Sequence, residues 1–224
     1  MKRNSYLYMF ITVLFFSVMI LFLQQEIQVG TVPELKKILI DPGHGGQDPG
    51  KVVDGFNESE INLEFAILLS KIMAEKGYLV ELTRVENEGL SENGNWNKEE
   101  DMRIRKEKIA LSECDIFISL HQNSYADTSC KGAQVFYSEN LPENRVLADL
   151  IQDKLKKTAP FENKRTALIN NEYYVLRDNN VPSVIIECGF MTNPQELELL
   201  TSSEYREKLT NAIADAIVEF FEKI

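Results

Sequence analysis

The sequence is poor in cysteine, in histidine and in positive charge. Only Cys114, Cys130 and Cys188 occur, an odd count with no CxxC or zinc-ribbon spacing. That excludes a disulfide-stapled scaffold and a cysteine-based zinc module. Lys and Arg total 24 against 35 Asp and Glu, a net charge of −11. With no basic patch interleaved with aromatics, such a chain repels a polyphosphate, so nucleic acid is excluded as a partner. No internal repeat and no low-complexity segment is present, which removes repeat architectures. Trp96 is the lone tryptophan, and His44 and His121 are the only histidines.

What is there suits one domain with a sizeable core: 224 residues, 44% hydrophobic and 26% charged. The chain opens on Lys2 and Arg3, followed by an uncharged, mostly apolar run over residues 6–23. A run of about 18 such residues is long enough for a membrane span or an export signal. The basic residues ahead of it predict a cytoplasmic N-terminus and an exported remainder. Residues 1–23 therefore read as a signal anchor or a signal peptide. No small-x-small cleavage site follows, which favours the uncleaved form. Residues 24–35, with Pro33 as a breaker, read as a polar tether, and residues 36–224 as the main domain.

Within that domain short apolar runs alternate with amphipathic stretches. Strands are expected over residues 36–41, 78–83, 115–120, 132–137 and 183–186. The first helix is expected to open on a capping box of Asn57 and Glu60, with Ile61, Phe65, Leu68, Leu69 and Ile72 on its core face. A second box, Thr201 and Glu204, is expected to open the last helix, with Leu209, Ile213, Ile217 and Phe220 inward. Residues 87–100, carrying Trp96, read as a surface loop, and 102–113 as a helix. The alternation argues an α/β fold with a largely parallel or mixed sheet covered by helices on both faces.

In such sheets ligands bind beyond the carboxyl ends of the strands. His44 follows the first strand in a loop of Asp41, Pro42, Gly43, Gly45 and Gly46. The glycines remove side-chain bulk and let something approach the imidazole closely. His121 and Glu187 end two further apolar strands, and Glu58 opens the helix after the His44 loop. Two imidazoles and a carboxylate with an open fourth position form the ligand set of a hydrolytic zinc site, and a further carboxylate acts as general base and acid. Each residue alone has a plainer reading. Glu58 would complement a helix dipole, Glu187 would be a buried structural carboxylate, and His121 a satisfied core histidine. Both histidines falling at strand ends is what points to a site.

Four motifs then stand in order: Asp41-Pro42-Gly43-His44-Gly45-Gly46, Glu58 with Asn62-Leu63, Ser119-Leu120-His121-Gln122-Asn123-Ser124, and Glu187-Cys188-Gly189-Phe190-Met191-Thr192-Asn193-Pro194. Together they resemble the zinc-dependent N-acetylmuramoyl-L-alanine amidases of bacteria, from about residue 37 to 221. The resemblance implies an α/β fold of zinc-dependent phosphorylase/hydrolase type: a mixed, mostly parallel six-stranded sheet flanked by helices on both faces. It implies Zn2+ as cofactor, His44, Glu58 and His121 as its ligands, and Glu187 as the catalytic carboxylate. The implied reaction is hydrolysis of the amide between the lactyl group of N-acetylmuramic acid and L-alanine in peptidoglycan. The alternative is a catalytically weak peptidoglycan-binding or partner-dependent relative. Asn123 and Arg177 are candidates for substrate binding, with Lys131 a further cation of that kind. Asp41 is a candidate for orienting a ligand histidine. The stretches 131–137, 140–144 and 102–105 resemble the germination-specific amidase of endospore-formers. That implies a role in muramic-δ-lactam formation in the spore cortex, an accessory lipoprotein activator, and a place on the cortex side of the forespore, anchored or secreted.

Overall fold

The computed structural model describes residues 2–23, 35–91 and 96–224. The chain divides into two compact units, Met1–Glu34 and Leu35–Ile224. In the first, the apolar run forms helix α1 (Lys2–Leu23), with Tyr8, Phe10, Phe15 and Phe16 exposed. Among the described residues no helix is long and apolar enough to cross a membrane. The expected tether, residues 24–35, lies outside the described residues except for Leu35.

The second unit runs β1 (Lys37–Pro42), β2 (Val52–Val53), β3 (Phe56–Asn57), α2 (Glu58–Glu75), β4 (Leu79–Leu82), α3 (Lys98–Leu111) and β5 (Ile116–Asn123). It continues through β6 (Gln134–Tyr137), α4 (Pro142–Thr158), β7 (Leu168–Ile169), β8 (Ser183–Phe190), α5 (Pro194–Thr201) and α6 (Ser203–Lys223). Six strands make one sheet in the order β4-β1-β5-β8-β6-β7. All neighbours are parallel except β6 and β8, which run antiparallel. The sheet is thus mixed and mostly parallel, as expected.

Period-two alternation divides the core. On one face Ile38, Ile40, Ile116, Ile118, Leu120, Val184 and Ile186 pack with Phe65 and Leu69 of α2, Leu147 and Ile151 of α4, and Ile213 and Ile217 of α6. On the other, Leu39, Phe117 and Ile185 meet Ile109 of α3 and Val175 and Leu176. Both faces are covered, which is why the central strands are apolar throughout.

Several local expectations differ from the structure. Asn57 stands at the start of α2 but its side chain makes no cap bond. It pairs with Val52 across the β2–β3 hairpin, and the first helical N–H groups of Glu58 and Ser59 donate to Lys51 O (2.9 Å) and Pro49 O (3.0 Å) instead. Thr201 closes α5 rather than opening α6, its hydroxyl bonding back to Leu197 O. Helix α3 begins at Lys98, because the Asn97 side chain accepts from Glu99 N and Glu100 N. Strands β5 and β8 also run past their expected ends, so His121 and Glu187 sit inside them as register partners.

Candidate active site

The carboxyl ends of β1, β5 and β8 lie side by side and deliver the site. Leaving β1, the chain turns through His44, whose φ of 62 is left-handed. For a residue with a side chain that costs about 1–2 kcal/mol. The hairpin β2–β3 then returns the chain so that Glu58, in the first turn of α2, faces the same point. His121 arrives on β5 just before a register shift between His121 and Asn123, the kind of irregularity that re-aims side chains.

Glu58 is the hub. Its Oε1 lies 3.1 Å from His44 Nε2 and 3.0 Å from His121 Nδ1, and accepts from Gln122 N at 3.2 Å. Its Oε2 accepts from Lys51 N at 2.9 Å. Burial opposes ionisation of Glu58, yet the hydrogen bonds and charges of His121 and His44 hold the carboxyl well below the usual range. Burial likewise works against the His44 imidazolium, but Glu58 and Asp48 outweigh it and raise the ring to about 9. His44 Nδ1 is hydrogen-bonded to Asp48 Oδ2 at 2.8 Å, which fixes the ring and turns Nε2 inward.

The two imidazoles meet edge to face, ring centres 4.9 Å apart. What approaches so closely is partly the second histidine. A Cβ at Gly43 would stand 2.1 Å from the His121 ring, and one at Gly50 would stand 2.6 Å from Glu58 Oε2. The donor atoms of His44, Glu58 and His121 all fall within 4.8 Å of one another, a grouping that could hold a metal ion. The donor set, two nitrogens and an oxygen, suits zinc. The separations near 3 Å approach the ~3.3 Å edge of a tetrahedron with ~2.0 Å bonds.

Glu187 stands opposite His121 on β8. Its Oε2 is buried and has no hydrogen-bond partner among the described residues. Burial pushes its carboxyl up to about 7, against the pull of His121.

These residues line a cavity of about 500 Å3 that extends past Trp96, Lys98, Tyr173 and Tyr174. Asn123 lines it too. Arg177 does not: it is exposed, with its guanidinium over the Tyr174 ring. Lys131 lies over Phe161, also off the cavity lining. Asp41 is buried at the cavity's base, but it does not orient an imidazole directly. It accepts instead from Thr83 (2.6 Å), Ser119 (2.8 Å) and Arg105. The carboxylate that orients His44 is Asp48, missed in the sequence although it sits one helical-turn spacing after the histidine, because the loop is not helical.

A sequence profile of the N-acetylmuramoyl-L-alanine amidases matches residues 38–219. The chain belongs to that family. The germination-specific N-acetylmuramoyl-L-alanine amidase of Bacillus subtilis is 34% identical over 190 residues, covering 83% of this chain and 80% of the relative. The amidase LytC of the same species is 30% identical over 186 residues, and there the match spans only 35% of the longer relative. Among solved structures, the CwlD amidase of Clostridioides difficile, determined in complex with the GerS lipoprotein, superposes with a TM-score of 0.81 at 35% identity. That alignment covers 84% of this chain and all of the other. The resemblance drawn from the four motifs is therefore borne out at the level of family, fold and amidase activity.

Proposed function

We propose that this amidase cleaves the bond between the lactyl group of N-acetylmuramic acid and L-alanine with a zinc ion held by His44, Glu58 and His121. The observation that carries this is the Glu58 carboxylate within 3.1 Å of both imidazoles, with the unpartnered Oε2 of Glu187 at the same strand ends. Zinc in that site supplies Lewis-acid polarisation of the amide carbonyl and makes water a competent nucleophile near neutral pH. Glu187 accepts the proton of the attacking water and returns it to the alanine nitrogen as the C–N bond breaks. Burial, which raises the Glu187 carboxyl in the metal-free protein, favours its holding the proton between the two halves of that transfer. Asn123, whose Oδ1 is taken by Ser124 N (2.8 Å), leaves its NH2 to donate toward the developing oxyanion. Asp48 holds the His44 ring throughout.

Glu187→Gln tests the assignment. The variant is expected to bind zinc as the wild type does and to lose roughly 100-fold or more of its turnover. The readout is mass analysis of muropeptides for a free lactyl carboxylate on the glycan. Retained cleavage would remove Glu187 from the mechanism.

The biological setting is part of the same proposal. The similarity to a germination-specific amidase supports a role in the spore cortex, in muramic-δ-lactam formation. The complex formed by the Clostridioides difficile relative supports an accessory lipoprotein as partner. The exposed apolar side chains of α1, from Tyr8 to Met19, support attachment of an exported domain to a membrane through residues 1–23. Muropeptide profiles of spores from a deletion strain test the setting. Unaltered muramic-δ-lactam would refute it.

A further inference from the structure

Two arginines behind the histidine loop take no part in that chemistry. Arg84 and Arg105 are each 2% exposed. A buried guanidinium is costly unless its N–H groups find partners. Arg105 donates Nε to Asp101 Oδ2 (2.8 Å), Nη1 to Asp41 and to Pro42 O (3.1 Å), and Nη2 to His44 O (2.7 Å). Arg84 donates Nε to Pro42 O (3.0 Å), Nη2 to Gly43 O (3.0 Å) and Ser59 O (2.8 Å), and Nη1 to Glu86 O (2.9 Å).

The carbonyls these forks hold include three in a row: Pro42, Gly43 and His44. They are the peptide groups on either side of the first imidazole. They also fall where the chain leaves the ladder of β1 and the backbone turns left-handed. Gly43 N makes a last bond to the sheet, to Leu120 O (3.0 Å), and Asn62 Nδ2 shares Gly43 O (3.1 Å); beside these the guanidinium forks fix the peptide planes of the turn. Asp41 enters through this arrangement, since it and Asp101 hold Arg105 from the other side.

We propose that Arg84 and Arg105 are positioning residues that fix the Pro42–His44 carbonyls, aim the His44 imidazole at Glu58 and His121, and so set the affinity of the site for its divalent cation. The inference rests on the metal-site reading above. A purely structural role for the arginines makes a different prediction. Lysine at 105 keeps a cation between Asp41 and Asp101 but brings one ammonium, which cannot also span Pro42 O and His44 O. Lysine at 84 likewise loses the fork.

The test uses the full chain, with zinc affinity measured by chelator competition and folding followed by circular dichroism. Arg105→Lys and Arg84→Lys are expected to fold, to melt close to the wild type when metal-free, and to bind zinc roughly 10–100-fold more weakly. Wild-type affinity in both folded variants overturns the proposal. So does failure of both to fold, which would make the arginines supports of the domain rather than of the ligand. His44→Ala separates the underlying reading: if it binds zinc as tightly as wild type, the metal site itself is misassigned, whatever the arginines do.

Discussion

Gly43 shows how little room the site has. A methyl group there would overlap the His121 ring at 2.1 Å, so one residue must give way. Gly43→Ala is expected to displace His121, to weaken zinc binding by at least tenfold, and to destabilise the protein by about 1–3 kcal/mol. Zinc titration and urea denaturation read the two effects separately, and unchanged zinc affinity would show that the rings tolerate separation. Glu187 carries a second residue-level expectation. Its folded pKa of about 7 lies above the ordinary 4.5, so the buried carboxyl prefers to stay protonated. Its contribution to stability is fully present below 4.5 and is lost as pH rises through about 7. Metal-free wild type is therefore expected to lose stability over that interval relative to Glu187→Gln. Parallel stability curves for the two proteins would contradict the assigned pKa.

At the scale of elements, caps decide more than propensity does. Helix α5 exists as a separate piece because Asn193 accepts from Gln195 N and Glu196 N, at 3.0 and 3.1 Å. The glutamate so placed then binds Phe190 N and Gly132 N, tying α5 to β8 and to the start of β6. Asn193→Ala is expected to cost about 1 kcal/mol, measured from the urea midpoint at constant slope. An unchanged midpoint would mean that the packing of Leu197 and Leu200 suffices. The sequence showed the central strands clearly, since Ile38-Leu39-Ile40 and Ile116-Phe117-Ile118 are apolar on both faces. It pointed to four candidate site residues because histidine is so scarce here and both copies fall at strand ends. It did not show that Thr201 ends a helix, since the same Thr-x-x-Glu spacing fits a helix start. Strand β7 is two exposed residues, Leu168 and Ile169, with no pattern to read. Asp48, Arg84 and Arg105 escaped for another reason: they bind a ring nitrogen, loop carbonyls and, for Arg105, the carboxylates of Asp41 and Asp101, a set that comes together only once the loop is folded.

For the whole molecule, the division at residue 34 has a consequence that can be measured. Removing residues 1–34 is expected to leave zinc affinity and thermal midpoint of the rest unchanged, and to abolish co-sedimentation with lipid vesicles. A lowered midpoint would show that the N-terminal unit supports the fold. Stability is also expected to follow metal: zinc at a hundredfold excess over its Kd adds about 2.7 kcal/mol, read as a rise in midpoint that chelator reverses. The four proposed site residues stand at positions 44, 58, 121 and 187: in the loop after β1, in α2, in β5 and in β8. No pair of neighbouring elements holds even the three donors. A chain still emerging, or one clipped before β8, has every early ligand in its sequence and no working centre. The enzyme is in this sense its own safety catch. On the proposed assignment a partial chain would lack the carboxylate that moves the proton, and wall-cutting would await the docking of β8 beside β5.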